Sequence, residues 1–305
     1  MNFRSGKISL PLLFFILIGV IDADAQIIVH NQRYQVENMP QPKSFTNYNA
    51  FAIPYEKLNT PFGIENYYRS YHRVTGNPVP IANREGLNIS MGFGYATDRL
   101  SATSTLVQNK NQAVWAQFYT TGSIGDNYYW RGVYAIGSYA EKIKIKNTNT
   151  YKHTILAQFG RKWNSNFATS LGLLVLSNFG DTRFIPTAHI SYSTGKWVID
   201  AALPNDVNIR YIQNKKLHFL ITNTLSRRSY YNINEGLSYK YTINEVALQT
   251  EFRIAGVLWG ELSVAKPYGL KMQLQNNAIY TELGEVSQVI SVNAGLFIRF
   301  QQVYE

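Results

Sequence analysis

The sequence contains no cysteine. Disulfide frameworks, thiolate metal sites, iron–sulfur clusters and cysteine nucleophiles are therefore excluded. Charge is scarce as well: Asp, Glu, Lys and Arg make up 16% of the 305 residues, against about 25% in an ordinary soluble domain. Acidic residues are the minority, 19 against 29 basic ones, for a formal net charge of +10. Long apolar runs are nearly missing. Ile8–Ile21 is apolar apart from Ser9, Pro11 and Gly19, and no second stretch reaches the roughly 18 residues of a membrane-spanning helix, which excludes a helical bundle in lipid. What is present is 14% aromatic residues, with 22 Tyr and 16 Phe, and 21 Gly within a 45% hydrophobic chain. Low charge with many aromatics and glycines fits a β-rich protein whose two faces meet different solvents.

The N-terminus reads as a targeting segment. Arg4 and Lys7 precede the apolar run, and Ala23-Asp24-Ala25 follows it. A basic start, a short apolar stretch and a small-x-small site form a secretory signal peptide, here 1–25, cleaved after Ala25 and exported by the Sec pathway. The run is short for a span, and Pro11 would disturb it as a helix. With no cysteine after it, a lipid-anchored form is excluded. An exported chain without cysteine suits a bacterial, Gram-negative envelope.

Beyond the signal, strict alternation dominates, the mark of strands with two unlike faces. Phe167, Thr169, Leu171, Leu173 and Val175 share one face, opposite Ala168, Ser170 and Gly172. The same pattern runs through 184–192, 197–203, 207–211, 245–254 and 291–300. The polar faces mix Gly, Ala, Ser, Asn, Gln and isolated charges, as a confined wet lumen would. The apolar faces begin or end with Phe, Tyr or Trp, and Trp130, Tyr192, Trp197, Tyr211 and Phe300 are the expected interfacial girdle. In lipid a sheet must close to satisfy its edges. The expected fold is all-β: a single transmembrane up-and-down antiparallel β-barrel of about 12 strands (range 10–14), over 86–305, after an irregular leader at 26–85 with room for the first strands. Hairpin turns are expected at Ser193-Thr194-Gly195, Pro204-Asn205-Asp206 and Ala255-Gly256. Further strands are expected at 86–96, 98–107, 112–122, 127–138, 151–161, 216–225, 237–242 and 257–265, with longer connections at 139–150, 226–236 and 266–287. If the last strand ends in the periplasm, this parse puts 226–236 and 139–150 among the short turns, a conflict that points to a mis-parsed strand around 227–242.

Several short motifs lie between about 151 and 300: Phe167–Leu176, Asn178-Phe179-Gly180-Asp181 with Arg183-Phe184-Ile185-Pro186, Trp197-Val198-Ile199-Asp200 with Leu203-Pro204, Val207-Asn208-Ile209-Arg210-Tyr211, and Gly295-Leu296-Phe297-Ile298-Arg299-Phe300. On these the chain resembles a family of outer-membrane β-barrel proteins of Bacteroidota that is a domain of unknown function. The resemblance implies the fold and a place in the cell outer membrane, and it implies no activity. The last strand, 288–300, resembles the signal read by the outer-membrane barrel assembly machinery, with Gln301–Glu305 following its terminal aromatic.

Chemistry is sparse. Asp200 and Arg210 are expected opposite each other across the 203–206 turn, as a lumen ion pair that sets ion preference or cross-links the barrel. Glu251, Arg253 and Glu261 form a second lumen cluster beside Ala255-Gly256. His189 shares a face with Ser191 and lies near Ser170, a lumen-lining group more than a hydrolytic one, since a lipase-like site would need a lipid-facing pair and a third orienting group. No histidine has metal-ligand spacing, so no metal and no cofactor is expected, and the chain is not expected to be an enzyme. Tyr128-Tyr129-Trp130 and Tyr230-Tyr231 suit a girdle without a ligand. Nucleic acid is not expected, for lack of a recognition motif. Arg227-Arg228, Lys142, Lys144, Lys146, Lys215 and Lys216 in or near connections suit lipopolysaccharide phosphates. The reading is a porin-like narrow pore or structural envelope component, in contact with outer-membrane lipid, lipopolysaccharide and other envelope proteins. Alternatives are a non-conducting barrel subunit of an envelope complex such as type IX secretion, and a secreted soluble β-sandwich.

Overall fold

The computed structural model describes residues 45–299 apart from 54–55, 61–62, 85–86, 103–108, 145, 180, 234–235, 277–278 and 288–289. The signal segment and Phe300 lie outside the described residues. The strands are β1 (Phe45–Ile53), β2 (Glu56–Thr60), β3 (Gly63–Arg84), β4 (Leu87–Ala102), β5 (Asn109–Ile124), β6 (Tyr128–Ala140), β7 (Tyr151–Asn164) and β8 (Phe167–Asn178). They continue as β9 (Asp181–Thr194), β10 (Trp197–Leu203), β11 (Asp206–Asn214), β12 (Leu217–Asn232), β13 (Leu237–Ala255), β14 (Leu258–Asn276), β15 (Ile279–Ser287) and β16 (Ile290–Ile298). One short 3₁₀ turn, Thr148–Thr150, precedes β7.

All 16 segments belong to one sheet, in which consecutive strands from β3 to β14 are antiparallel neighbours. The sheet closes because β1 pairs with β16 on one side and β3 on the other. β2 and β15 continue that seam, pairing with each other and with β3 and β14. β1 with β2, and β15 with β16, are thus single wall strands interrupted midway, and the wall has 14 strands where about 12 were expected. The difference has identifiable sources. Residues 45–84 supply β1, β2 and β3, the connection expected at 266–287 is the upper part of β14 followed by β15, and β12 runs on to Asn232. In the other direction, 86–96 and 98–107 merge in β4, and 237–242 joins 246–254 in β13. The parity conflict sat where β13 had been cut in two.

With that strand restored, both described chain ends lie side by side, Phe45 against Ile298. Every connection at that end, such as 165–166, 195–196, 215–216 and 256–257, has two or three residues. The longest connection between described strands, 141–150, lies at the opposite, loop end. Gly195 and Gly256 open two of the tight turns with φ of 54° and 49°, a left-handed conformation that a side chain would strain.

Alternation sorts the residues as an inside-out protein. Leu171, Phe184, Leu248, Phe93 and Leu262 stand on the outer face, 52–71% exposed. The inner face buries Ser90, Asp98, Asn111, Arg131, Lys152, His189, Ser191 and Glu251. It is not polar throughout: Tyr119, Val133, Leu156, Leu174, Leu176 and Ile185 form a buried apolar cluster on β5 to β9, filling part of the interior.

β12 departs from a plain meander. Its partner β11 ends at Asp206, opposite Thr224. Above that point β11 no longer accompanies β12, and a backbone edge without a neighbouring strand costs hydrogen bonds unless another chain segment satisfies it. Its tip crosses to β6, where Tyr231 pairs with Ala140 in parallel. This contact closes a smaller circuit of seven strands, β6 to β12, within the larger wall.

Candidate functional site: the barrel interior

Three polar clusters occupy the interior, and Asp200 and Arg210 belong to different ones. Across the β10–β11 hairpin, Asp200 faces Asn208, and Arg210 faces Val198. The two-residue offset follows from the turn at 204–205, which sets the register.

Asp200 turns to the neighbouring strand. His189 Nε2 lies 2.7 Å from Asp200 Oδ1, and Ser191 Oγ donates to the same oxygen at 3.0 Å. Ser170 stands beside His189 in register. Ser191 and Asp200 share one nitrogen of the imidazole. In a nucleophile relay the serine and the carboxylate hold opposite ring nitrogens, so this trio has the geometry of a strand cross-link.

Arg210 turns to Glu251, whose side chain is fully buried. Glu251 also accepts from Arg299 Nη2 at 2.9 Å. Both guanidinium groups approach His218 Nδ1, at 3.1 Å from Arg210 and 3.3 Å from Arg299. Glu251 Oε2 lies 3.6 Å from the same nitrogen, so His218 sits at the centre of the cluster. Arg299 lies 4.9 Å from the ring centres of Trp259 and Phe297. Glu251 and Glu261 are direct register partners, and Gln249 Nε2 donates to both, at 3.4 Å and 3.1 Å. Arg253 takes no part: its Nε donates to Gly256 O in the turn at 2.5 Å. Sequence reading found Arg210, Glu251 and Glu261 but missed His218, Gln249 and Arg299. Parity along β12 and β13 places the first two on the same face as Glu251, a signal that was legible.

The third cluster surrounds the crossing part of β12. Arg228 donates to Asp98 of β4 at 3.2 Å and lies 3.5 Å from the Tyr71 ring of β3. On the other face of the strand, Lys152 of β7 donates to Ser229 at 2.5 Å. Tyr139 packs against Tyr230, and Phe179 against Tyr231. Arg227-Arg228, expected near a connection, and Tyr230-Tyr231, expected in the aromatic girdle, are strand residues inside the barrel. Lys215 and Lys216 belong to a tight turn at the terminal end, which leaves Lys142, Lys144 and Lys146 at the loop end.

Outside, an aromatic band follows the terminal rim. Trp197 meets Tyr211 at 4.9 Å with the rings tilted, Phe167 meets Tyr192 at 6.3 Å, and Trp163 meets Phe167 at 6.5 Å. Arg161 lies over Tyr128 and Trp163, and Lys196 over Tyr211. Trp130 stands on the outer face near the same rim, between the buried Tyr129 and Arg131. Phe184 lies eight residues from Tyr192 along β9, about 26 Å of strand, or roughly 20 Å of height once tilted, close to the apolar thickness of an outer-membrane barrel. Among the described residues, no group of His, Asp and Glu has a metal-holding arrangement.

Solved structures similar in outline include a COG4313 outer membrane channel from Pseudomonas putida F1, at 8% identity over 88% of this chain and 100% of that one, with a TM-score of 0.44. A KdgM porin matches at 6% identity over 84% and 99%, with a TM-score of 0.36. The Pseudomonas putida toluene transporter TodX matches at 6% identity over 85% and 90%, with a TM-score of 0.35. Scores this low align no residue with its counterpart, and no residue role transfers from them. No curated protein matches the chain. A family model does match, over residues 105–268, from just before β5 into β14. The chain belongs to that family, described as a domain of unknown function, DUF6268.

Proposed function

We propose that this protein is an integral outer-membrane β-barrel acting as a narrow polar pore. One observation carries the reading: large apolar side chains are exposed around the outside while charged ones are buried within. In water such an outer face would be an aggregation surface, and in lipid it is the expected solvent. Each wall strand pairs with a neighbour on both sides, and the stretch of β12 beyond β11 reaches β6, so the ring is closed as lipid requires. The soluble sandwich is disfavoured by the same inversion. Export by the Sec pathway, cleavage after Ala25 and a Bacteroidota envelope belong to this proposal, as do contacts with lipopolysaccharide through the loop end and with the assembly machinery through 288–300. The interior chemistry is ionic and structural, without a nucleophile relay, so no enzymatic role is proposed.

The test is heat-modifiable gel migration of the protein in purified outer membranes, then conductance in planar bilayers. A folded band that shifts on boiling, with small discrete conductance steps, is expected. Extraction by carbonate without a shift overturns the barrel. A second reading, the non-conducting barrel subunit of an envelope complex, is favoured by the strand that crosses the interior. It predicts a heat-modifiable barrel that co-purifies with partners and passes no current.

A further inference from the structure

The terminal rim from β7 to β12 carries charge of one sign. Between Tyr151 and His218 the chain has three acidic residues, Asp181, Asp200 and Asp206. Asp181 accepts from Arg183 at the loop end, Asp200 meets His189 in the interior, and Asp206 accepts from Asn208 at the loop end of β11. None of the three stands at the terminal rim. Arg161, Lys196, Lys215 and Lys216 do stand there, all exposed. Asp126, in the β5–β6 turn, bounds this arc on one side.

The cations are set among rings on a rigid frame. Backbone hydrogen bonds tie each hairpin end to the next: Lys162 N to Asn127 O, Ser193 N to Asn166 O and Ile212 N to Lys196 O, at 2.7–2.9 Å. The Arg161 guanidinium lies 5.4 Å from the Tyr128 ring and 4.4 Å from that of Trp163, two residues nearer the turn. Trp163 spends its own donor on Thr169 Oγ1 at 2.9 Å, so the guanidinium is the group left to meet an anion. Lys196 Nζ donates to Gln213 O at 3.2 Å and lies 5.9 Å from the Tyr211 ring. An ammonium has three donors, so Lys196 keeps two for another acceptor. Trp163 and Trp197 beside these cations are 53% and 50% exposed. Rings that sit at headgroup level fix the height of the cations, and phosphate oxygens match both an arginine fork and an ammonium. Short turns mark the periplasmic side of such barrels, where the leaflet is phospholipid.

We propose that this rim binds the phosphate groups of anionic glycerophospholipids, with Arg161 and Lys196 as anchoring points and Lys215-Lys216 extending the second. This rests on the barrel reading and is independent of the pore. The full barrel is reconstituted in phosphatidylcholine vesicles that contain acyl-brominated phosphatidylglycerol or acyl-brominated phosphatidylcholine. Quenching of tryptophan emission, from Trp163 and Trp197 on the outer face, reports which lipid sits at the rim. The variants are R161Q/K196Q, K215Q/K216Q in the exposed turn, and K144Q/K146Q at the loop end as control.

A cation near an anionic lipid surface is worth about fivefold in affinity. Wild type is expected to prefer phosphatidylglycerol by at least about that factor. R161Q/K196Q is expected to bring the preference close to parity and K215Q/K216Q to lower it, with K144Q/K146Q unchanged. An undiminished preference in R161Q/K196Q, or an equal loss in K144Q/K146Q, overturns the proposal. K215Q/K216Q decides if R161Q/K196Q gives no heat-modifiable band, and an undiminished preference there overturns it likewise. Added glycerol 3-phosphate is expected to leave the preference intact. If it abolishes the preference, the rim takes soluble phosphate and the lipid assignment is overturned. Quenching by neither lipid removes the lipid-facing wall and the barrel with it. Equal quenching by both keeps the barrel and overturns the rim site.

Discussion

The two ends of the interior join the wall in different ways. At the terminal end Glu251 and Glu261 answer Arg210 and Arg299, through contacts among strands of one stretch of wall, β11 to β16. At the loop end the contacts join strands that are distant in the wall: Arg228 of β12 meets Asp98 of β4 and Tyr71 of β3, and Ser229 of β12 accepts from Lys152 of β7. A balanced network between wall neighbours pins register, and its loss costs stability. A network that reaches across the lumen holds the crossing strand in place, and there a displaced strand changes the energy.

The largest effect that would break this comparison is at Glu251. E251L leaves Arg210 and Arg299 buried without their carboxylate, and removal of one partner of a buried pair costs about 3–5 kcal/mol. Urea unfolding of the vesicle-inserted barrel should show a loss of that size. A loss below about 1 kcal/mol would mean the hub is solvated and not structural. Next comes the outer face. L171R places a guanidinium where the side chain is 71% exposed on the outer wall, which costs about 2–4 kcal/mol near the membrane midplane. Folding yield into lipid vesicles should fall accordingly, and unaffected folding would refute the lipid-facing assignment. Smaller again, H189Q weakens the cross-link to Asp200 and should cost about 1–3 kcal/mol, as hydrogen bonds to charged groups do, without altering conductance. A change in single-channel conductance would move His189 from cross-link to pore lining. Smallest in stability, about 1 kcal/mol, is K152M, which removes the bond to Ser229 on the crossing strand. Its readout is current: conductance is expected to rise severalfold as β12 loosens, and unchanged conductance would show that the crossing strand does not restrict passage.

Most strands and their faces were legible. Leu171 and Leu173 point out and Ser170 points in because side chains alternate with period two and the two solvents differ. The tight turns at 195–196, 204–205 and 256–257 were readable from Gly and Pro-Asn chemistry. Strand length was not. Ile243-Asn244 reads as a break between two expected strands, yet β13 runs through it because β12 and β14 satisfy its backbone on both sides. Likewise 266–287 lacks a clear apolar face, and pairing alone makes it strand. Of the interior chemistry, the residues were largely found and their partners were not. Asp200 joined His189 and Arg210 joined Glu251, because a shift of two residues in register exchanges every cross-strand neighbour.

The sequence by itself determined that this chain is all-β, inside-out and closed, since alternation, aromatic rims and scarce charge are local properties summed along each strand. The tertiary structure alone decided the 14-strand ring, the ion-pair partners and the crossing of β12 to β6. Those depend on which backbone edges find a partner and at what register, and that β12 runs on past its neighbour is visible only once β11 is seen to end beside Thr224.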